Sequence, residues 1–538
     1  MVLIPLLVLA LGSAWGEDRP VQGVVWTPPD VPDAAVHDLE EMQAMGVEAV
    51  RAPLIEDERL LAAADTLGIQ LYQDVPVAHR SARGLAEASG EASDRLAEAM
   101  RRAEAYESAR HFGLLQFSDT SDPAACAYVE RLAEQVREEG PEESEVYYVT
   151  PFIEREQCAA AVDFVLLDGR DAEAPLEQLE RWNAAHTTEA GWARLGTWVN
   201  DDAGPGYRVP RAPEHQARFI ENGLSALATA AERARAVFVY RWRDYEDELN
   251  PYGRAYGLHR ADESARPAAQ VVEGFYTGQQ TVFAFPAGEA PQQSYVWLML
   301  LGWATIVAVS LMYAREPRFR RTVGRYFRSH SFYQEVVREG REVLPGATLS
   351  LLAGAALTVM IIGTVAADLY YTAPRVTLAV QVLPEALGAA VAGWLAAPYA
   401  FGLVLAGVYF GALVLWTFVL IGISRWGTQL SMGQGLMLVV WARWPLVLLL
   451  MAGLVSPTLE PSAGRLVITT TLAAGCVVSL QATIRTLVDY ARVADVPTGL
   501  AVAGGLASPL AVALVGGGWM LLQEGEALLL IWHILTRT

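Results

Sequence analysis

The 538-residue chain contains no lysine, so all 40 of its basic residues are arginine. So complete an absence points to a GC-rich genome. Positive charge is also scarce overall: 61 Asp and Glu leave a net charge of −21. Such a surface repels phosphate, which excludes nucleic acid as a partner. It fits a salt-adapted protein held in solution by carboxylates. Cysteine is nearly missing too, with three residues in the whole chain. No zinc-ligand spacing, nucleophile elbow or phosphate loop is present, and no G-x-G-x-x-G follows the first apolar run, so no cofactor and no metal are expected. The nearest approach to a cation site is the short run Asp168-Gly169-Arg170-Asp171.

What charge there is lies unevenly. Residues 1–290 carry 50 acids against 25 Arg, whereas residues 291–538 carry 11 against 15. The chain opens with the apolar run MVLIPLLVLALGSAWG, which has the length of a signal peptide and ends in small residues but lacks a basic start. Residues 1–17 are therefore read as a signal peptide or N-terminal apolar segment. Cys126 and Cys158 fall near the starts of consecutive helices. In an exported domain they are either bridged or two small buried thiols.

The second half is oily. Ser294–Ala314 is an unbroken apolar stretch of about 20 residues, enough for a helix to cross about 30 Å of hydrocarbon. Tyr295, Trp297 and Tyr313 stand towards its ends, where aromatic rings favour the interface. Eight Arg follow between Arg315 and Arg341. Short basic flanks stay cytoplasmic, which puts the acidic N-terminal half outside. Five more spans are expected near 346–367, 396–424, 434–456, 466–486 and 499–522, each apolar all round and so helical in lipid. With six spans the loops near Arg425, Arg485 and Arg492 fall inside, and 368–395 and 457–465 fall outside. The shorter apolar stretch 377–394 reads as an interfacial helix. Arg443 is the one charge within a span. It is either functional or, as expected here, a side chain snorkelling from a span that starts near Pro445.

Trp441-Ala442-Arg443-Trp444-Pro445, with the amphipathic lead-in SFYQEVVREGREVLPG, resembles the bacterial Yip-type membrane domain. The resemblance covers about 320–525 and rests on hydropathy and one short motif. It implies a role in membrane organisation or trafficking and brings no catalytic residue.

Between Pro20 and Arg266, β-rich runs alternate with helical ones, the pattern of βα units around a parallel sheet. Eight strands are expected, at 21–27, 47–53, 69–75, 112–118, 145–152, 162–168, 192–199 and 236–242. Eight in about 245 residues fit a closed (β/α)₈ barrel with its functional residues at the strands' C-terminal ends. The fold class is thus α/β: a TIM-like barrel, followed by an all-α transmembrane bundle.

The opening GVVWTP…DLEEMQAMGVEAVRAPLIEDERLLAAADTLGIQLYQDVPV and the closing YRWRDYED…NPYGRAYGLHRADESARPAAQVV are similar to the catalytic barrel of glycoside hydrolase family two and its clan. The resemblance makes Arg51 the strand-two arginine that supports the nucleophile, and Trp242 the strand-eight aromatic that floors the sugar site. The catalytic pair departs from the family. Where Asn-Glu should end strand four, the chain reads Gln116-Phe117-Ser118-Asp119. Where strand seven should deliver a Glu, it reads Gly196-Thr197-Trp198-Val199-Asn200-Asp201-Asp202.

Retaining glycosidases hold two carboxyls about 5–5.5 Å apart and inverting ones about 6.5–9.5 Å. Asp119 with Asp201 or Asp202 are the only catalytic candidates. Trp26, Arg51, Asp74, Asp168, Trp198 and Trp242 are the candidate ligand-binding residues, the three tryptophans for stacking on sugar faces. Glu154, Arg170 and Asp244 also belong to the expected mouth.

The domains expected are 18–275, a glycoside-hydrolase-like barrel; 276–293, a linker; 294–314, the first transmembrane helix; 315–345, a basic cytoplasmic segment; 346–525, a Yip-like membrane domain of about five helices; and 526–538, a C-terminal tail. The function expected is that of a multi-pass protein of the cytoplasmic membrane. Its exported barrel binds a glycan or an envelope protein without hydrolysis, and the lipid bilayer is its other partner. One rival is an active hydrolase using the aspartates. Another is a transporter with the barrel as receptor, though the spans are nearly free of acids apart from Asp368.

Overall fold

The computed structural model describes residues 19–171, 175–229, 234–245, 255–289, 295–341, 343–371 and 373–537. The apolar segment 1–17 lies outside them. By its contacts the chain forms two units: residues 1–291 with 374–389 and 525–538, and residues 292–373 with 390–524.

The first unit is built on eight parallel strands, β1 (Val21–Val25), β2 (Ala49–Pro53), β3 (Gln70–Asp74), β4 (His111–Gln116), β5 (Glu145–Thr150), β6 (Phe164–Leu167), β7 (Glu189–Leu195) and β8 (Ala234–Val239). They pair in sequence order, and β8 closes on β1. Alternation along the strands sorts the side chains. Ala49, Tyr72, Tyr147, Phe164, Ala236 and Phe238 fill the barrel interior. Val24, Val50, Leu71, Val146, Val165 and Val237 face the helical ring. The helices begin and end on local chemistry. Asp57 and Ser81 cap the helices that follow them, and Gly68, at φ 71°, ends the Glu58–Leu67 helix in the left-handed conformation that only glycine adopts freely.

All eight expected strands are present with shifted boundaries, and the largest shift is at β7. β7 starts at Glu189, three residues before the sequence reading placed it. Gly191 explains the shift: glycine scores poorly as a strand former, yet a Cβ there would lie 2.4 Å from the Ala236 carbonyl oxygen of β8. Cys126 and Cys158 are joined by a disulfide.

The second unit is helical. Among the described residues four helices are long and apolar enough to cross a membrane: Val296–Arg315, Pro345–Tyr371, Pro398–Trp426 and Pro461–Val493. Two bent pairs, Met432–Trp441 with Trp444–Thr458 and Thr498–Leu506 with Pro509–Met520, raise the number to six if each is one span. Proline opens three of the long helices, where its missing N–H costs nothing. Pro345–Tyr371 and Pro398–Ile423 approach closely at Gly402, where a Cβ would stand 2.6 Å from the Met360 carbonyl oxygen.

Three sequence expectations change here. The stretch 377–394 is two short helices, Pro374–Val382 and Glu385–Ala396, separated by Pro384. The 526–538 tail is a helix, Gly525–Arg537. Residues 374–389 and 525–538 group with the barrel. Arg443 does not snorkel. It is 3% exposed, sits at the break between the two helices of a bent pair, and is held by the carbonyl oxygen of Val439 and the hydroxyls of Thr486 and Thr483.

Candidate functional site at the barrel mouth

The C-terminal ends of the strands converge on arginine. At the middle level, Arg51 of β2 forms a 2.7 Å ion pair with Asp74 of β3 and donates to the Ala193 carbonyl of β7 at 3.1 Å. Tyr147 of β5 donates to the other Asp74 oxygen at 2.9 Å. Burial opposes the charge on Arg51, but Asp74 and Tyr147 together outweigh it and the guanidinium's pKa is raised.

One level up, Arg170 grips Asp168 with two nearly parallel bonds of 2.9 and 2.8 Å. Arg194 reaches the Gln116 side-chain oxygen at 3.1 Å and lies 4.0 Å from the Phe117 ring centre and 4.8 Å from that of Tyr240. No ion pair to a carboxylate is found for Arg194 among the described residues. Burial lowers its pKa to about 10. Burial, reinforced by Arg194 and Arg170, also drives the neighbouring His79 down to about 3. His79 is therefore neutral at physiological pH.

The mouth is covered by the chain's own later segments. His533 of the Gly525–Arg537 helix pairs through Nδ1 with one oxygen of Asp119, and Ser121 donates to the other at 2.6 Å. Arg537 in turn donates to Ser121 at 2.9 Å. Gln381 of the Pro374–Val382 helix accepts from Arg170. Phe152, just past β5, packs with Val382, Leu530 and Ile534. Leu378 rests on the interior cluster that contains Phe117.

The candidate residues thus separate into distinct groups. Asp119 is 1% exposed and bound to the covering helix. Asp201 stands in a different network, paired with Arg260 and Arg266, and Arg266 also holds Asp244. Asp202 is exposed beside Asn200. No hydrogen bond or ion pair joins Asp119 to either acid among the described residues. The acidic residues of the 168–171 run are held in ion pairs, Asp168 with Arg170 and Asp171 with Arg211.

The tryptophans do not line an open sugar face. Trp26 (1% exposed) and Trp242 (1%) belong to the core between strands and helices. Parity accounts for Trp26, since Val24 and Trp26 share the outward side of β1, and its indole donates to Asp38 at 3.0 Å. Trp198 is 3% exposed under the Arg211 guanidinium, 4.6 Å from its ring. Glu154 lies outside the cluster, bonded to Arg181.

Sequence reasoning missed Arg194, Tyr240 and His79. Arg194 carried a readable signal, a lone base near the end of an apolar strand. It faces the mouth where the β7–β8 register shifts between Trp192 and Leu195. Among the described residues no group of three or more His, Cys, Asp or Glu is placed to hold a metal ion.

Compared with known proteins, the chain matches no family model and no curated protein. Solved structures do align with it. A GH2 β-galacturonidase from Eisenbergiella tayi bound to galacturonate is 14% identical, with a TM-score of 0.44 over 49% of this chain and 52% of that one. A β-glucuronidase from Ruminococcus gnavus in complex with D-glucaro 1,5-lactone is 16% identical, with a TM-score of 0.43 over 48% and 49%. The β-D-glucuronidase of Dictyoglomus thermophilum is 14% identical, at 0.43 over 49% and 52%. The chain spans about half the length of each. The fold assignment rests on the strand pairing of this chain itself: it is a (β/α)₈ barrel with a C-terminal bundle of apolar helices.

Proposed function

We propose that the chain is a membrane-anchored protein of the cell envelope whose glycosidase-like barrel lies outside the cytoplasmic membrane and does not hydrolyse. The strand-end mouth is a socket for protein, and its occupants are the chain's own segments 374–389 and 525–537. The observation that carries this reading is the pairing of Asp119 with His533. The residue best placed to replace the missing acid of strand four is buried and engaged by a covering helix, and its proposed partner Asp201 is held by two arginines. None of the three candidate tryptophans, Trp26, Trp198 and Trp242, is exposed for stacking on a glycan.

The orientation has its own support. With six spans and the basic 315–341 segment inside, both 374–389 and 525–537 fall on the barrel's side of the membrane. These are the segments that group with the barrel. The 374–382 and 385–396 helices are each far below the roughly 20 residues of a span. The Yip-type likeness adds a role in membrane organisation, with the barrel as the element that fixes the outer segments.

The purified full-length protein, offered aryl glycosides including glucuronides, is expected to release no more product than its Asp119→Asn variant. Turnover that Asp119→Asn abolishes would establish the hydrolase instead. Protease added to intact spheroplasts should remove the barrel, and protection of the first 290 residues would overturn the orientation.

A further inference from the structure

The membrane unit contains a cavity of about 300 Å³ that the barrel reading leaves unexplained. Its walls are mostly aliphatic, including Ile362, Leu405, Leu446 and Leu472. Arg443 faces the same space. The Met432–Trp441 helix begins 11 residues earlier, so at 1.5 Å per residue Arg443 lies roughly 16 Å from the start of that apolar segment, well inside it. Its hydrogen-bond partners are a carbonyl oxygen and two threonine hydroxyls, all uncharged. It has no ion-pair partner among the described residues. A guanidinium taken out of water at that depth calls for a counter-charge.

Two further observations point into the same cavity. The Tyr409 hydroxyl lines it, buried and without a hydrogen-bond partner. A buried unsatisfied hydroxyl costs about 1–3 kcal/mol. Both broken spans also border it. Arg443 occupies the break in one, bent by 46°, and Pro509 opens the second half of the other, bent by 60°. Breaks inside a bilayer are tolerated where backbone lines a cavity or is buried in protein, and they characteristically build binding sites.

We infer that this cavity binds an amphiphile with an anionic head, seated on Arg443 and Tyr409, and an apolar chain lying along the aliphatic wall. The chemistry of the head is a phosphate or carboxylate, and the tail is what separates a lipid from a free anion. Threonine fits the role of a neutral positioner. Thr483 and Thr486 each also bond the carbonyl one turn back in their own helix, so they orient the guanidinium without neutralising it. Gly475 leaves the wall open, since a Cβ there would meet nothing nearer than Leu449 at 3.7 Å.

The test is native mass spectrometry of the full-length protein in detergent, equilibrated in turn with phosphatidylglycerol, phosphatidylcholine and inorganic phosphate. Wild type should retain phosphatidylglycerol at least ten-fold more than Arg443→Gln and than Gly475→Phe. Phosphatidylcholine and inorganic phosphate should be retained no better by wild type than by either variant. Gly475→Phe keeps the charge and fills the space, so it decides the matter should Arg443→Gln fail to fold. Equal retention of phosphatidylglycerol by wild type and Gly475→Phe overturns the inference. So does displacement of the lipid by inorganic phosphate alone, which would make the tail irrelevant.

Discussion

Each unit of this molecule buries an arginine almost completely, and the two are handled in opposite ways. Arg51 is 1% exposed and meets Asp74 at 2.7 Å within a barrel interior that also supplies a tyrosine hydroxyl and a strand carbonyl. Arg443 is 3% exposed and meets uncharged oxygens and the face of Trp416, 4.9 Å away, with no carboxylate among the described residues. A charge that stays buried is matched locally or is matched by something that arrives. The barrel arginine is of the first kind and reads as architecture. The membrane arginine is of the second kind, and its surroundings are correspondingly a cavity.

The largest test of that contrast is Arg51→Ala. It strands the Asp74 carboxylate, and the barrel should lose about 3–5 kcal/mol, measured by denaturant unfolding of the full chain. The double variant Arg51→Met with Asp74→Leu should lose far less. Equal losses would mean that the pair's charge is not what matters.

A second difference is covalent. The disulfide closes 32 residues within the barrel unit, whereas Cys476 in the membrane unit is free. Reduction should therefore cost the barrel about 3–4 kcal/mol by loop entropy and leave the helical signal of the spans unchanged. A common shift in both transitions would break the comparison.

Acid should act on the barrel as well. His79 has a folded-state pKa depressed from 6.5 to about 3, so its contribution is present above pH 6.5 and is lost as pH falls towards 3. Glu145 is lowered from 4.5 to about 2 by its hydrogen bond from His111, against burial, with help from Arg235. Its stabilisation is present above pH 4.5 and lost between there and pH 2. Thermal midpoints followed from pH 7 to pH 3 should fall in wild type. They should fall less in His79→Asn, with the difference opening below pH 6.5, and an unchanged slope would contradict the assignment.

Arg443→Met gives the smallest effect, under about 1 kcal/mol in either direction, because removing an unpaired buried charge relieves as much as it costs. A loss as large as that of Arg51→Ala would place Arg443 among structural groups. Binding to phosphatidylglycerol would then be the readout that separates the roles.

The sequence carried the barrel because each β-rich run is short, apolar and followed by a helical period, and it carried the spans because length alone selects them. It failed at the mouth for two physical reasons. Trp26 was assigned by its position at a strand end, when the parity it shares with Val24 already turns it towards the helices. His533, Gln381 and Arg537 were beyond reach because a covering contact across 414 residues has no local signature. Arg443 was misjudged because Pro445 was taken as the start of a span, whereas the structure puts the proline just after a mid-span break, where its missing N–H frees a carbonyl.

The origin of the mouth's cover has a consequence in time. At about 5–20 residues per second, roughly 20–80 s of translation separate Asp119 from His533. β8 ends at Val239, so in the later part of that interval all eight strands exist while Asp119 still lacks His533. The pairing of Asp119 with His533 therefore forms only after every helix between them has been synthesised.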